Sequence, residues 1–363
     1  MTGPVLPAVI AIVTGVVVGV GLFVPFVALS YRRRGRLSAA RLLLWSAALV
    51  YFWALWAYTL LPLPSRSELE CAGTNLDVLE LVGSLREAAG GSGSLLADPA
   101  VLQLALNVVL FLPLGFFVRV LGGRGIVVAL LAGLGTSLLI ELTQLTGVWG
   151  IHSCAYRVFD VDDLLTNTLG AVIGSGLALI VPRRHRGMAR VVGAGRPRPV
   201  TRGRRGLAMV CDWLGFTVVA TGVSVLVQIL LSITGHEALM DDGRLASTVG
   251  GVLALVVWLV AVLTTGRTIG DLAVELRYVG GPLPQPVARL LRFLGGIGGY
   301  GVLTSIPGAA WLGWLFAVVS VVLLVLTTGG RGLPGLLSGQ QLVDARRPGV
   351  RARSISADDH WRW

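Results

Sequence analysis

Residues 157–170 read RVFDVDDLLTNTLG, which sets one arginine, three aspartates and an asparagine at the mouth of an apolar helix. Carboxylates beside lipid are expensive, so such groups are held by partners or kept for a task. If a helix begins near Phe159, then Asp160, Asp163, Asn167, Gly170 and Gly174 recur three and four residues apart and share one face. Two other apolar runs carry polar residues at a similar depth. IELTQL holds Glu141 and Gln144, while LNVVLFLPLG holds Asn107, with Phe111 and Gly115 on its face and Pro113 as a bending residue. From the rise of an α-helix, Asn107 and Glu141 both lie on the order of 10 Å below the outer surface.

Three kinds of chemistry suit this set. In the first, Arg157 pairs with Asp160, Asp162 or Asp163 caps the helix, and Asn107, Glu141, Gln144 and Asn167 hydrogen-bond across helices as glue. In the second, the same groups line an outward-facing pocket for a polar headgroup, sugar or peptide. Arg157 would then meet an anionic group at the rim, and the carboxylates would accept hydroxyls. In the third, Glu141 acts with the aspartates in catalysis or cation binding. No nucleophile–base pair is recognisable, and His152 with Cys154 makes a poor transition-metal ligand set. The expectation is a seam without metal or cofactor.

The elements that must carry these residues are membrane helices. The chain has 363 residues, of which 54% are hydrophobic and 13% charged. Soluble domains carry roughly 25% charged residues, and several apolar runs here are long enough to cross a bilayer. The expected class is an all-α polytopic membrane protein. Spans are predicted near residues 5–27, 42–63, 101–121, 126–147 and 164–181, then 208–232, 248–265 and within 293–328. The first run is expected to be a permanent span rather than a signal peptide.

Residues 182–206, rich in Arg, Gly and Pro, read as a flexible basic linker between module 1–181 and module 207–343, with a polar tail at 344–363. Arginines cluster after the first span and in the linker, which predicts an outer N-terminus and a cytoplasmic linker. The last apolar region is broken by glycines and Pro307 and reads as a short helical hairpin. That gives nine segments and a cytoplasmic C-terminus, with eight segments as the alternative. The net charge of +11 sits in loops beside spans. It therefore points to topology signalling and anionic lipid at the cytoplasmic face, not to nucleic acid. Cys71 and Cys154 fall in loops expected outside, where they form either a disulfide or two unpaired thiols. Cys211 reads as a small apolar residue of the sixth span.

NVVLFLPLG, IELTQL and RVFDVDDLLTNTLGAVIG together resemble the VanZ family over roughly residues 40–181. The matching positions are Asn107, Phe111, Pro113, Gly115, Glu141, Gln144, Arg157, Asp160, Asp163, Asn167, Gly170 and Gly174. That resemblance implies a five-helix bundle at the cell membrane. Its implied role bears on the envelope and on teicoplanin-type glycopeptides, through an envelope glycolipid or the glycopeptide itself, without an agreed enzymatic mechanism.

The rest of the chain, roughly 202–343, resembles the RDD family of three- or four-segment membrane bundles. RGLAMVCDWLGF supplies Arg205 with Asp212 seven residues later, and the next motif matches at Gly266, Thr268, Gly270 and Arg277. In LPGLLSGQ, Gly335 stands where the family's second Asp is expected, and Asp271 and Glu275 stand where Lys and Gly are expected. Read from the residues alone, Arg205 and Asp212 form an ion pair at the helix end. Arg267, Arg277, Arg289 and Arg292 belong to an interfacial amphipathic segment.

The expected function is that of a non-enzymatic membrane protein with an outward polar seam. A secondary transporter or ion exchanger using Glu141 and Asp212 is one alternative. An intramembrane enzyme on a lipid-linked envelope substrate is the other.

Overall fold

The computed structural model describes residues 5–61, 63, 71–77, 83, 86, 98–187 and 189–347. Most of the loop at 64–100 and the tail beyond 347 lie outside the described residues. Among the described residues, seven helices are long and apolar enough to cross a membrane, and the apolar helix Trp311–Leu326 is shorter. The chain is an all-α polytopic membrane protein. It divides into two compact units, Met1–Gly19 with Ser38–Ala189 and Val20–Leu37 with Arg190–Trp363. The division falls inside the first helix, α1 (Val5–Arg34).

In the first unit, α2 (Ala39–Leu60), α3 (Pro99–Val120), α4 (Ile126–Leu145) and α5 (Val161–Leu177) form the bundle. Their starts follow capping chemistry. Ser38 accepts from the Arg41 N–H, and Asp98 accepts from the N–H groups of Ala100 and Val101, with Pro99 at the first helical position. Asp160 caps α5 by accepting from Asp162 N–H, and Asp162 and Asp163 in its first turn complement the helix dipole.

α3 and α5 run parallel in van der Waals contact. A Cβ at Gly170 would strike the Val108 carbonyl, and one at Gly174 would strike the Leu112 carbonyl. Only glycine permits that approach, as the spacing in the sequence implies. α3 continues through Pro113 as one helix. The Tyr51 hydroxyl donates to the Leu110 carbonyl, one turn before this proline, at 2.8 Å. Leu55, Phe111 and Ile140 fill the core between these helices.

At one end of this bundle, β1 (Thr74–Asn75) pairs in parallel with β2 (Phe159–Asp160), setting Asn75 beside Asp160. Cys71 and Cys154 are joined by a disulfide at the same end.

The second unit is built on α6 (Arg202–Ile233) and α7 (Arg244–Thr265). They are followed by α8 (Ile269–Ala273), β3 (Leu276–Val279) and α9 (Gln285–Leu294). Next come α10 (Ile297–Thr304), α11 (Trp311–Leu326), α12 (Gly332–Ser338) and β4 (Gln341–Asp344). Val27 and Tyr31 of α1 pack with Ala208, Cys211, Val274 and Leu276.

Residues 293–328 form two helices rather than one span. A Cβ at Gly313 would meet Thr304 and one at Gly299 would approach Phe316, so α10 and α11 pack antiparallel. β4 then pairs antiparallel with β3, and Asp344 reaches Arg204 in the first turn of α6. The chain therefore returns to the end of the second unit at which α6 began.

Candidate functional site

The polar residues of the first unit meet at the start of α5. Asn107 on α3 donates from Nδ2 to Asp163 Oδ1 at 2.5 Å. Glu141 on α4 is buried, and its Oε2 accepts from the backbone N–H of Asp160 at 3.1 Å. Asp160 itself accepts from Asp162 N–H at 2.9 Å and from Asn75 Nδ2 at 3.4 Å. One turn deeper, Asn167 Nδ2 donates to Ser137 Oγ at 2.9 Å, and Ser137 Oγ donates to the Asp163 carbonyl at 3.4 Å. Gln144 turns to the far wall, donating to the Thr59 carbonyl at 2.7 Å. These bonds join α2, α3, α4 and α5.

Arg157 is exposed at the rim and donates to the same Thr59 carbonyl at 3.2 Å. Among the described residues it forms no ion pair with Asp160, Asp162 or Asp163. Among the described residues, the carboxylates of Glu141, Asp160 and Asp163 thus accept from side-chain amides or backbone N–H groups, and Arg157 is directed to a carbonyl beside solvent. Such an arrangement offers acceptors and an exposed guanidinium to whatever approaches the rim. Among the described residues, no group of three or more His, Cys, Asp or Glu side chains is arranged to hold a metal ion.

Residues 47–182 match the VanZ/LLP1 family model. The VanZ-like part therefore runs from within α2 past the end of α5 and contains every seam residue named above. No curated protein and no solved structure matches the chain.

The second unit holds the other polar set. Arg205 pairs with Asp271 rather than Asp212, at 2.7 Å, and both side chains are buried. Asp212 accepts instead from Trp258 Nε1 at 2.8 Å, Thr268 Oγ1 at 2.6 Å and Gly270 N–H at 2.7 Å. Thr268 and Asp271 form a capping box at the start of α8, which fixes the carboxylate opposite Arg205. The T-x-x-D pattern was the signal for this pair in the sequence.

Arg204 pairs with Asp344 at 2.8 Å, and Asp344 also accepts from Arg346 at 2.7 Å and Arg198 N–H at 2.9 Å. Burial alone would raise the Asp344 pKa, but hydrogen bonds from Arg346, Arg204 and Arg198 hold it well below the usual carboxylate range. Gly335 lies in α12, where a Cβ would press on Arg331. The buried arginines at the head of α6 thus find their carboxylates at Asp271 and Asp344.

Arg277 stands apart from these pairs and donates to the Arg347 carbonyl at 2.9 Å. The other arginines of the segment are also committed to carbonyls. Arg289 donates to Leu263 O, Arg292 to Gly266 O at 2.8 Å, and Arg267 to Leu276 O at 2.7 Å. Arg289 and Arg292 thereby satisfy orphan carbonyls at the C-terminal end of α7, a role open to basic residues there. Sequence spacing showed the amphipathic helix but not its docking.

Proposed function

We propose that this membrane protein works through the polar seam of its VanZ-like part, facing outward and altering how the cell envelope meets teicoplanin-type glycopeptides. The observation that carries the reading is the bond from Asp160 N–H to the buried Glu141, beside Asp160 and Asp163, which form no ion pair among the described residues. A seam that served only as glue would be expected to neutralise such charge, as the second unit does at Asp271 and Asp344. Arg157, exposed beside this cluster, would contact an anionic group of the ligand, with Asp160 and Asp163 accepting its hydroxyls.

The orientation is part of the proposal. The disulfide Cys71–Cys154 lies at the seam's end of the bundle, and disulfides persist in oxidising compartments. Arg183, Arg184 and Arg186 follow the opposite end of α5, as basic cytoplasmic flanks do. The N-terminus is then outside and residues 182–206 inside. The C-terminus is also inside, given the return of Asp344 to Arg204. Residues 202–343 are proposed as an RDD-like module in which Asp271 supplies the partner for Arg205.

The test is teicoplanin susceptibility of a sensitive host expressing the wild type, Glu141→Ala or Asp163→Ala at matched membrane abundance. Protection by the wild type alone is the expected result. Three strains as sensitive as one with empty vector would sink the proposal.

A further inference from the structure

The second unit contains a partly open pocket of about 360 Å³ that none of the preceding assignments uses. Its polar end is formed by Arg205, Asp212, Thr268, Asp271, Tyr278 and Arg292. Apolar side chains of α6, α10 and α11 line the remainder, among them Trp213, Tyr300, Trp314, Phe316, Ala317 and Val321. From Leu324, beside the first turn of α6, the α11 wall runs about 15 Å back to Trp314 at the rise of an α-helix. The shape suits a ligand with one polar end and one apolar chain.

The unfilled hydrogen-bonding capacity at the polar end is donor capacity. Asp212 and Asp271 are both occupied, the former by three donors and the latter by Arg205 and the Thr268 N–H. By contrast, the Nε atoms of Arg205 and Arg292 are buried with no hydrogen-bond partner, as is the hydroxyl of Ser320, which also lines the cavity. Arg292 is 5% exposed and, among the described residues, makes no ion pair. Its charge is met by the Gly266 carbonyl and by the face of Tyr278, with 5.1 Å from guanidinium carbon to ring centroid. Arg205 approaches the same ring at 5.6 Å. A buried guanidinium with no carboxylate in contact is costly, Asp271 offsetting it only at longer range, and an entering anion would relieve it.

We infer that this cavity binds an anionic amphiphile, its carboxylate or phosphate held by Arg292 and Arg205 and its acyl chain lying along the α11 wall. The inference is independent of the seam in the first unit. Cavities of this size commonly take drug-sized ligands, with a few convergent polar contacts setting orientation. Arg292 is the specificity-determining residue, because Arg205 is already neutralised by Asp271.

The experiment uses the full chain, purified in a neutral detergent, with brominated stearate as quencher of tryptophan fluorescence. Saturable quenching is expected, reduced in Trp314→Phe and displaced by lysophosphatidate but not by lysophosphatidylcholine. Oleate, which shares the carboxylate of the probe, should displace it as well. Arg292→Gln should raise the half-saturating concentration at least tenfold. Arg289→Gln, on the same helix but outside the cavity, should leave it unchanged. If Arg292→Gln does not fold, Ala317→Trp fills the apolar wall with every charge retained and should abolish saturable quenching. Equal quenching by brominated stearyl alcohol, full displacement by inorganic phosphate, or wild-type binding by a folded Arg292→Gln or Ala317→Trp would overturn the inference.

Discussion

Two regions of this molecule solve one problem in different ways. In the first unit, buried or half-buried carboxylates are met by Asn107, by the Asp160 N–H and by one another's helix turns. In the second, Asp271 and Asp344 are met by guanidiniums within 2.7–2.8 Å. Ion pairing of the second kind fixes a fold, because either partner alone would be a buried, uncompensated charge. Satisfaction by neutral dipoles leaves negative charge in place, open to a proton or to a ligand. Asp212 stands between the two cases, with three neutral donors and Arg205 held by a neighbour. Under the proposed function, the difference separates polar residues that build from polar residues kept for use.

The comparison breaks most visibly at Asp344. Removing its carboxylate strands Arg204 and Arg346, so Asp344→Ala should lower unfolding free energy by about 3–5 kcal/mol. Thermal unfolding of the detergent-solubilised chain would register it, and an unchanged melting temperature would remove the distinction drawn here.

Next in size is helix contact in the first unit. Gly174→Val drives a side chain into the Leu112 carbonyl and should cost about 1–3 kcal/mol, read in the same melt. Gly176→Val, where a Cβ meets nothing within 4 Å, is the matched control and should be close to neutral.

A pH series sharpens the contrast further. Asp344 has its pKa depressed in the fold, so its contribution is complete above the unfolded carboxylate value near about 3.9 and is lost as pH falls below that. Stability should hold from neutral pH down to mildly acidic conditions and then decline, with a shallower decline in Asp344→Asn. The smallest effect belongs to the seam. Asn107→Ala removes one interhelical hydrogen bond, worth about 0.6 kcal/mol in membrane proteins, and should barely move the melt.

Much of the first unit was legible because its signals are local. Span lengths and the three-and-four spacing of Asp160, Asp163, Asn167, Gly170 and Gly174 act within a few turns, whereas the cap, expected at Asp162 or Asp163, falls to Asp160 because the helix begins at the next residue, Val161. What remained hidden depends on contacts between distant residues. Arg204 and Asp344 are 140 positions apart, and nothing in either stretch names the other. Asp271 looked like a departure from a motif, yet its capping box places it opposite Arg205. Arg292 sat on a helix whose pattern suggested a lipid-facing surface, whereas its guanidinium is turned inward to Gly266 and Tyr278. The allegiance of α1 was hidden for a similar reason, since a uniformly apolar helix does not say which bundle it packs against.

The measurement that bears most directly on the division between the two regions is teicoplanin protection per folded molecule. It requires susceptibility to be plotted against the amount of folded protein recovered from the same cells. Glu141→Gln should retain wild-type abundance and melting temperature while losing protection, and Asp344→Ala should lose abundance while each remaining molecule protects as before. If Glu141→Gln protects fully, or if both variants lose protection only in proportion to folded protein, the seam is structural and the proposed function is wrong.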